Sequence, residues 1–282
     1  MVGGEAAPLH GGGRGGGRSS GEAFVKANAE GRAAFVGYLP AGFPSYDGAI
    51  EALRALVDGG VDLVELGLPY SDPVIDGVTI QAATERALRG GTRIADVFRT
   101  AEVIAAMDVP VVVMTYWNPV LAYGIERFAT ELASAGASGL ITPDLIPDEA
   151  GDWLDIADAH DLDRVFLVAP SSTPARIAST VAACRGWVYA ASTMGVTGAR
   201  DQTSSAAPDL VKRVRAATQI PVGVGLGVSN REQAAEVASY ADGVIVGSAL
   251  VRCLLDAPDA KSGAAAVGAL AVELAAGVRA GR

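Results

Sequence analysis

The chain has little of what several large function classes require. Two cysteines, Cys184 and Cys253, and two histidines, His10 and His160, occur in 282 residues. Neither pair has metal-ligand spacing, so a zinc centre or a disulfide framework is excluded as the organising feature. Both cysteines read as buried free thiols of a reducing compartment. His10 lies in a glycine-rich stretch, and His160 sits in ADAHDLDR, a helix-end pattern in which it reads as a surface residue. Positive charge is scarce: 22 Lys and Arg face 32 Asp and Glu, a net charge of −10. That balance argues against nucleic acid or an anionic membrane as partner. Long apolar runs are missing too. The longest, around Val109 to Ile125, contains Pro110, Asn118 and Pro119, and Met1 to Ser20 has no apolar stretch. Neither a membrane span nor a secretory signal is expected, and the chain reads as soluble and cytoplasmic.

Half of the residues are apolar and 19% are charged, which allows a sizeable core. The opening GGGRGGGRSS has the composition of a disordered tail. Residues 1–21 are therefore expected to be a disordered Gly-rich tail and 22–282 a single domain, with order from near Glu22. From there short β-branched runs alternate with longer helical patterns. Strands are expected at Ala34–Tyr38, Leu63–Leu66, Val111–Met114, Gly139–Ile141, Val165–Val168, Trp187–Ala190, Val222–Val224 and Gly243–Val246. Helical patterns follow at Asp47–Asp58, Val78–Ala106 with a break at Gly90–Gly91, Ile125–Ala135, Asp148–Ala159, Pro174–Ala183, Pro208–Ala217, Arg231–Ala238 and Ala249–Leu255. A last amphipathic helix covers roughly Ala264–Arg279. Helix starts are signalled by Asp47, by Pro174 after Ser172–Thr173, and by Ser229–Asn230. Eight strand–helix repeats match an α/β fold, the single (β/α)8 TIM barrel, with a doubly wound open sheet as runner-up.

The segment VELGLPYSDPVIDG carries the strongest chemical signal. Glu65 interrupts an apolar run of a strand type that is normally buried on both faces, and Asp76 follows on the loop before a helix. Two carboxylates in different surroundings on one strand-to-loop unit suit acid–base chemistry on a small molecule. Singly, each has a plainer reading: Glu65 as a strand-end ion-pair partner, Asp76 as an N-cap, Asp72 as a turn residue. Late in the chain three glycine-rich turns follow adjacent strands: Gly195–Gly198, Gly225–Ser229 and Gly247–Ser248. None contains Lys or Arg. Backbone amides at such turns and helix N-termini suit an anion, and in this barrel class phosphate binds after strands seven and eight. A phosphorylated substrate is the inference. Tyr189 in the sixth strand reads equally as cavity lining or core. Tyr38, Phe43, Met114, Tyr116 and Trp117 lie near the exits of strands one and three, where an aromatic ligand would pack.

With these residues in place the chain resembles the tryptophan synthase α subunit family from about Phe24 to the last helix. The carrying motifs are YLPAGFP (Tyr38–Pro44), VELGLPYSDPVIDGVTIQ (Val64–Gln81), MTYWNP (Met114–Pro119), TPDLIPDEA (Thr142–Ala150), STMGVTG (Ser192–Gly198), GLGVS (Gly225–Ser229) and VGSALV (Val246–Val251). The resemblance implies a lyase of tryptophan biosynthesis: retro-aldol cleavage of indole-3-glycerol phosphate into indole and glyceraldehyde 3-phosphate. It implies Glu65 as the carboxylate that gives and takes the proton, and Asp76 as the group that holds the indole N–H. Tyr189 would line the site, with Tyr38, Met114, Tyr116, Thr197 and Leu226 as the wall of the indole pocket. Gly198, Gly227, Gly247 and Ser248 match its phosphate-binding positions. Asp72, Asn118 and Asp144 match positions near the face where a β subunit docks in an α2β2 heterotetramer. No cofactor is expected on this chain, because pyridoxal phosphate belongs to the β subunit in that family. Thr193 stands where some members carry arginine, and Ile146 where many carry proline. The ring-forming synthase of the same pathway would bring a lysine to a strand exit, and none of the exits above has one.

Overall fold

A computed structural model describes residues 19–191, 206–225 and 227–282. All strands are parallel neighbours, laid out as β1 (Ala34–Pro40), β2 (Leu63–Gly67), β3 (Val111–Met114), β4 (Gly139–Ile141), β5 (Asp163–Val165), β6 (Leu167–Val168), β7 (Val188–Ala191), β8 (Val222–Gly225) and β9 (Gly243–Val246). In space they run β5-β4-β3-β2-β1-β9-β8-β7-β6. The two ends of that order are consecutive in the chain and separated only by Phe166. The sheet thus closes on itself through one interrupted strand, which is a (β/α)8 barrel and sets aside the open sheet. The expected fifth strand, Val165–Val168, is the one that splits. Its first half pairs with β4 and its second with β7. Phe166 between them is turned into the outer core, and its carbonyl accepts from Tyr189 N at 3.2 Å.

Helices surround the barrel as α1 (Gly21–Ala29), α2 (Tyr46–Asp58), α3 (Val78–Arg89), α4 (Ile94–Ala105), α5 (Trp117–Tyr123), α6 (Ile125–Ser134), α7 (Gly151–Ala159), α8 (Pro174–Ala183), α9 (Ala207–Arg215), α10 (Arg231–Ala238), α11 (Ser248–Asp256) and α12 (Ala260–Ala280). The caps follow the chemistry of short polar side chains. Thr173 and Asn230 accept from the third residue ahead, as their positions suggest, and α2 is capped by Ser45, with Asp47 in its first turn. The expected start at Asp148 is instead a short 3-10 turn, Pro147–Glu149, ahead of α7. α12 begins before the expected Ala264 because the Asp259 side chain accepts from Ser262 N at 2.8 Å. By length and composition α12 is the one candidate among the described residues for a membrane span. Here it packs on α2, α10 and α11, with Val267, Ala271, Leu274 and Val278 buried.

Side chains alternate between the barrel interior and the helix layer with period two. Ala34 and Val36 of β1, Leu63 of β2, Val112 of β3, Val165 of β5 and Ile245 of β9 form the interior with Trp187. The lower opening is plugged by α1, absent from the sequence expectation. Its Phe24 lies against Trp187, ring centroids 5.2 Å apart, and Ala23 and Ala27 join the same cluster. The chain enters through Ser19 and Ser20, which donate to the buried Asp163 carboxylate at the start of β5: Ser20 N and Oγ at 2.6 Å each, Ser19 Oγ at 3.0 Å. Three hydrogen bonds to one buried acid hold this entry, slightly ahead of Glu22. The remainder of the glycine-rich stretch lies outside the described residues.

Candidate active site

The alternation that puts Leu63 inside puts Glu65 inside as well, one pleat nearer the strand exits. A cavity of about 330 Å³ opens there, at the C-terminal ends of the strands. Glu65 and Asp76 line it together with Tyr38, Met114 and Tyr189. Gly227, Gly247 and Ser248 line the same cavity. The acids and two of the glycine turns therefore share one mouth. Ile80, Ile141, Leu167 and Ser172 complete much of the wall and were not singled out from sequence. Extending the inward register of β4 and β6 to the exits would have found Ile141 and Leu167. Ser172 had no such signal, since its loop is folded by Ala169 N donating to Ser172 Oγ at 3.0 Å.

Glu65 is 3% exposed, and its Oε2 has no hydrogen-bond partner among the described residues. Among the described residues no arginine pairs with it, so the ion-pair reading finds no partner there. Burial, and after it the charge of Asp76, pushes its pKa up to about 8. Asp76 is also raised by burial, against the pull of a hydrogen bond that Tyr116 Oη donates to its Oδ1 at 2.9 Å. It is no N-cap: the cap position of α3 is Gly77, with no side-chain cap. Of the two acids Glu65 is displaced further, the separation of roles that acid–base sites use. Tyr38 and Tyr189 are raised well above the ordinary phenol, first by burial and then by the two carboxylates, so both remain O–H donors. Room for these rings explains two strand-end glycines. A methyl group on Gly67 would lie 2.3 Å from Tyr38 Oη, and one on Gly225 would lie 2.4 Å from Tyr189 Oη.

The other end of the cavity is backbone. Gly247 precedes the first turn of α11, whose first residue is Ser248, and Gly227 has φ +69°, a conformation that disfavours any side chain. The N-terminus of α11 thereby meets the cavity, with the unpaired amides and partial positive charge that suit an anion. Among the described residues no group of three or more His, Cys, Asp or Glu is placed to hold a metal ion.

Comparison with known proteins agrees with this arrangement. The family model described as tryptophan synthase alpha chain matches residues 24–279. The chain is 62% identical over 259 residues to the tryptophan synthase alpha chain of Salinispora arenicola, covering 92% of this chain and 97% of that one. The chain belongs to the tryptophan synthase alpha chain family. Among solved structures, that of Mycobacterium tuberculosis tryptophan synthase superposes with a TM-score of 0.87 at 58% identity, over 94% of this chain and 99% of its own. The alpha subunit from Legionella pneumophila reaches 0.84 at 31% identity, over 92% and 97%.

Within this tryptophan synthase alpha chain barrel, not every candidate falls on the cavity. Tyr116, expected in the indole-pocket wall, does not line this cavity: the ring is 2% exposed and its hydroxyl donates to Asp76 Oδ1. Its exit position on β3 is right, but two residues beyond Met114 the backbone is already turning into α5. Asp72, Asn118 and Asp144 lie on the exposed rim instead. Asp72 accepts from Ser71 Oγ at 2.6 Å, Asn118 donates to Tyr70 Oη at 3.1 Å, and Asp144 accepts from Trp117 N at the start of α5 at 2.9 Å. Exposed apolar residues accompany them: Val74, Val78, Leu121 and Ile146. Thr193, Thr197, Gly198 and Leu226 lie outside the described residues.

Proposed function

We propose that this chain cleaves indole-3-glycerol phosphate to indole and glyceraldehyde 3-phosphate, as a lyase of tryptophan biosynthesis. The observation that carries the proposal is one cavity with a buried acid at one end, its Oε2 without a hydrogen-bond partner among the described residues, and a helix N-terminus at the other. Glu65, protonated near neutral pH, gives its proton to C3 of the indole ring. The bond between C3 and the glycerol carbon then has an electron sink. Glu65, now a carboxylate, takes the proton of the adjacent hydroxyl; the hydroxyl becomes the aldehyde as the C–C bond breaks, and the electron pair returns to the ring. The acid ends as it began, so one residue suffices for both transfers. Asp76 accepts the indole N–H as positive charge spreads over the ring. Gly227, Gly247 and Ser248, with Gly198, hold the phosphate through backbone amides and a hydroxyl. Tyr38, Met114 and Tyr189, with Thr197 and Leu226, enclose the indole.

Residues 22–282 act as one catalytic domain in this reading, working in the cytoplasm, which accords with two free thiols. The rim around Asp72, Asn118 and Asp144 is the docking face for a tryptophan synthase β subunit in an α2β2 assembly. The run of exposed apolar side chains beside those polar ones supports it. Pyridoxal phosphate belongs on that partner, with none on this chain. Steady-state turnover of indole-3-glycerol phosphate, with and without a β subunit, tests the proposal. Stoichiometric indole and glyceraldehyde 3-phosphate are expected, and a folded chain that releases neither under both conditions would sink it.

A further inference from the structure

We propose that Tyr116 is a positioning residue, which fixes the Asp76 carboxylate and the loop that carries it from behind, without touching the substrate. The inference rests on the assignment of Asp76 above and adds a partner that the reaction scheme does not use. Tyr116 Oη makes two hydrogen bonds, to Asp76 Oδ1 at 2.9 Å and with Ile75 N at 3.1 Å. A backbone amide can only donate, so the phenol accepts from Ile75 and its single proton is committed to Asp76. The pair is directional for that reason. One oxygen holds two consecutive residues of the β2–α3 loop, and it presents its proton to an acceptor that is strongest when ionised. Burial, then the charge of Asp76, keeps the phenol protonated far above the working range. Asp76 is held on its other side by its own backbone, whose carbonyl accepts from Gln81 Nε2 at 2.7 Å.

Tyr116 is itself braced. The ring of Tyr70 lies against it at 5.5 Å between centroids, and Asn118 from the start of α5 holds Tyr70 Oη. The other titratable groups that share the cavity with Asp76, among the described residues, are Glu65 from β2, Tyr38 from β1 and Tyr189 from β7. None of them is hydrogen-bonded to Asp76, so the Tyr116 contact is the one that a single hydroxyl deletion removes.

Tyr116→Phe in the full chain tests this. The Asp76 carboxyl carbon is followed by NMR titration, its signal assigned from its loss in Asp76→Asn. Loss of the donor disfavours the ionised form, so the titration midpoint should rise by about one pH unit, roughly a tenfold gain in proton affinity. kcat should fall roughly tenfold on the acid side of the new midpoint and recover above it, while KM changes less than about twofold. In the Asp76→Asn background the same substitution should cost little further, because its target is gone. An unmoved titration, a loss equal at every pH, or a KM increase with unchanged kcat would each overturn the proposal. Full activity of Asp76→Asn would instead reject the assignment of Asp76, and the NMR titration of Tyr116→Phe would still judge the positioning.

Discussion

Glutamine at position 65 should cost catalysis and raise stability, with the gain growing as pH rises. Folded, Glu65 releases its proton near pH 8, against an ordinary value of 4.5 expected once the chain unfolds. Below pH 4.5 both states keep the proton, and the residue adds no pH-dependent cost. Above it the unfolded chain ionises while the folded one does not, which favours unfolding by about 1.4 kcal/mol per pH unit. The loss is complete once pH passes about 8, where it reaches an upper figure of about 5 kcal/mol, since Asp76 titrates beside it. Glutamine has the same shape and no proton to lose, so it lacks this slope; the fixed cost of burying its amide is the same at every pH. Urea unfolding of both proteins at pH 5 and pH 8.5 therefore isolates the charge. The variant's advantage should grow by about 4 kcal/mol between the two. Cleavage of indole-3-glycerol phosphate should fall at least about a hundredfold, the usual contribution of a general acid–base group. A stability difference that stays constant from pH 5 to pH 8.5 would refute the buried, neutral glutamic acid on which the mechanism stands.

Two further outcomes concern other parts of the molecule. Gly247→Asp places a carboxylate at the N-terminus of α11, where substrate phosphate is proposed to bind, and should raise KM at least tenfold in steady-state assays while the melting temperature moves little; normal binding of glycerol phosphate by this variant would reject the phosphate assignment. Asp163→Ala removes the acceptor of Ser20 N and strands a buried amide, so stability should fall by about 1–3 kcal/mol in denaturant titrations, with kcat unchanged at temperatures where the barrel remains folded.

The barrel was legible because its signal is local and repeated. Most inward and outward strand positions are apolar, with Glu65 of β2 and Asp163 and Arg164 of β5 as exceptions, and Gly, Ser, Thr or Asn marks most of the turns. The split at Phe166 was not legible, since it depends on which neighbour each half-strand meets. Nor was α5: Pro119 reads as a breaker, yet it falls in the first helical turn, where no backbone donor is lost. α1 follows a glycine-rich stretch, and its apolar face makes sense only against Trp187. In the site, Glu65 betrayed itself as a charge inside an apolar run. The hydrogen bond from Tyr116 to Asp76 spans 40 residues of chain, and no pattern in either segment announces it. Position along β3 placed Tyr116 near the cavity; only the turn of the backbone after Met114 decided that its hydroxyl would meet Asp76.

The anchoring of Ser19 and Ser20 on Asp163 has a practical corollary. Those serines sit at the plugged floor of the barrel, on the side away from the reacting groups. A support, a fluorophore or a second protein attached at Ser19 would tether the molecule by its base, leaving its rim turned outward and open to traffic.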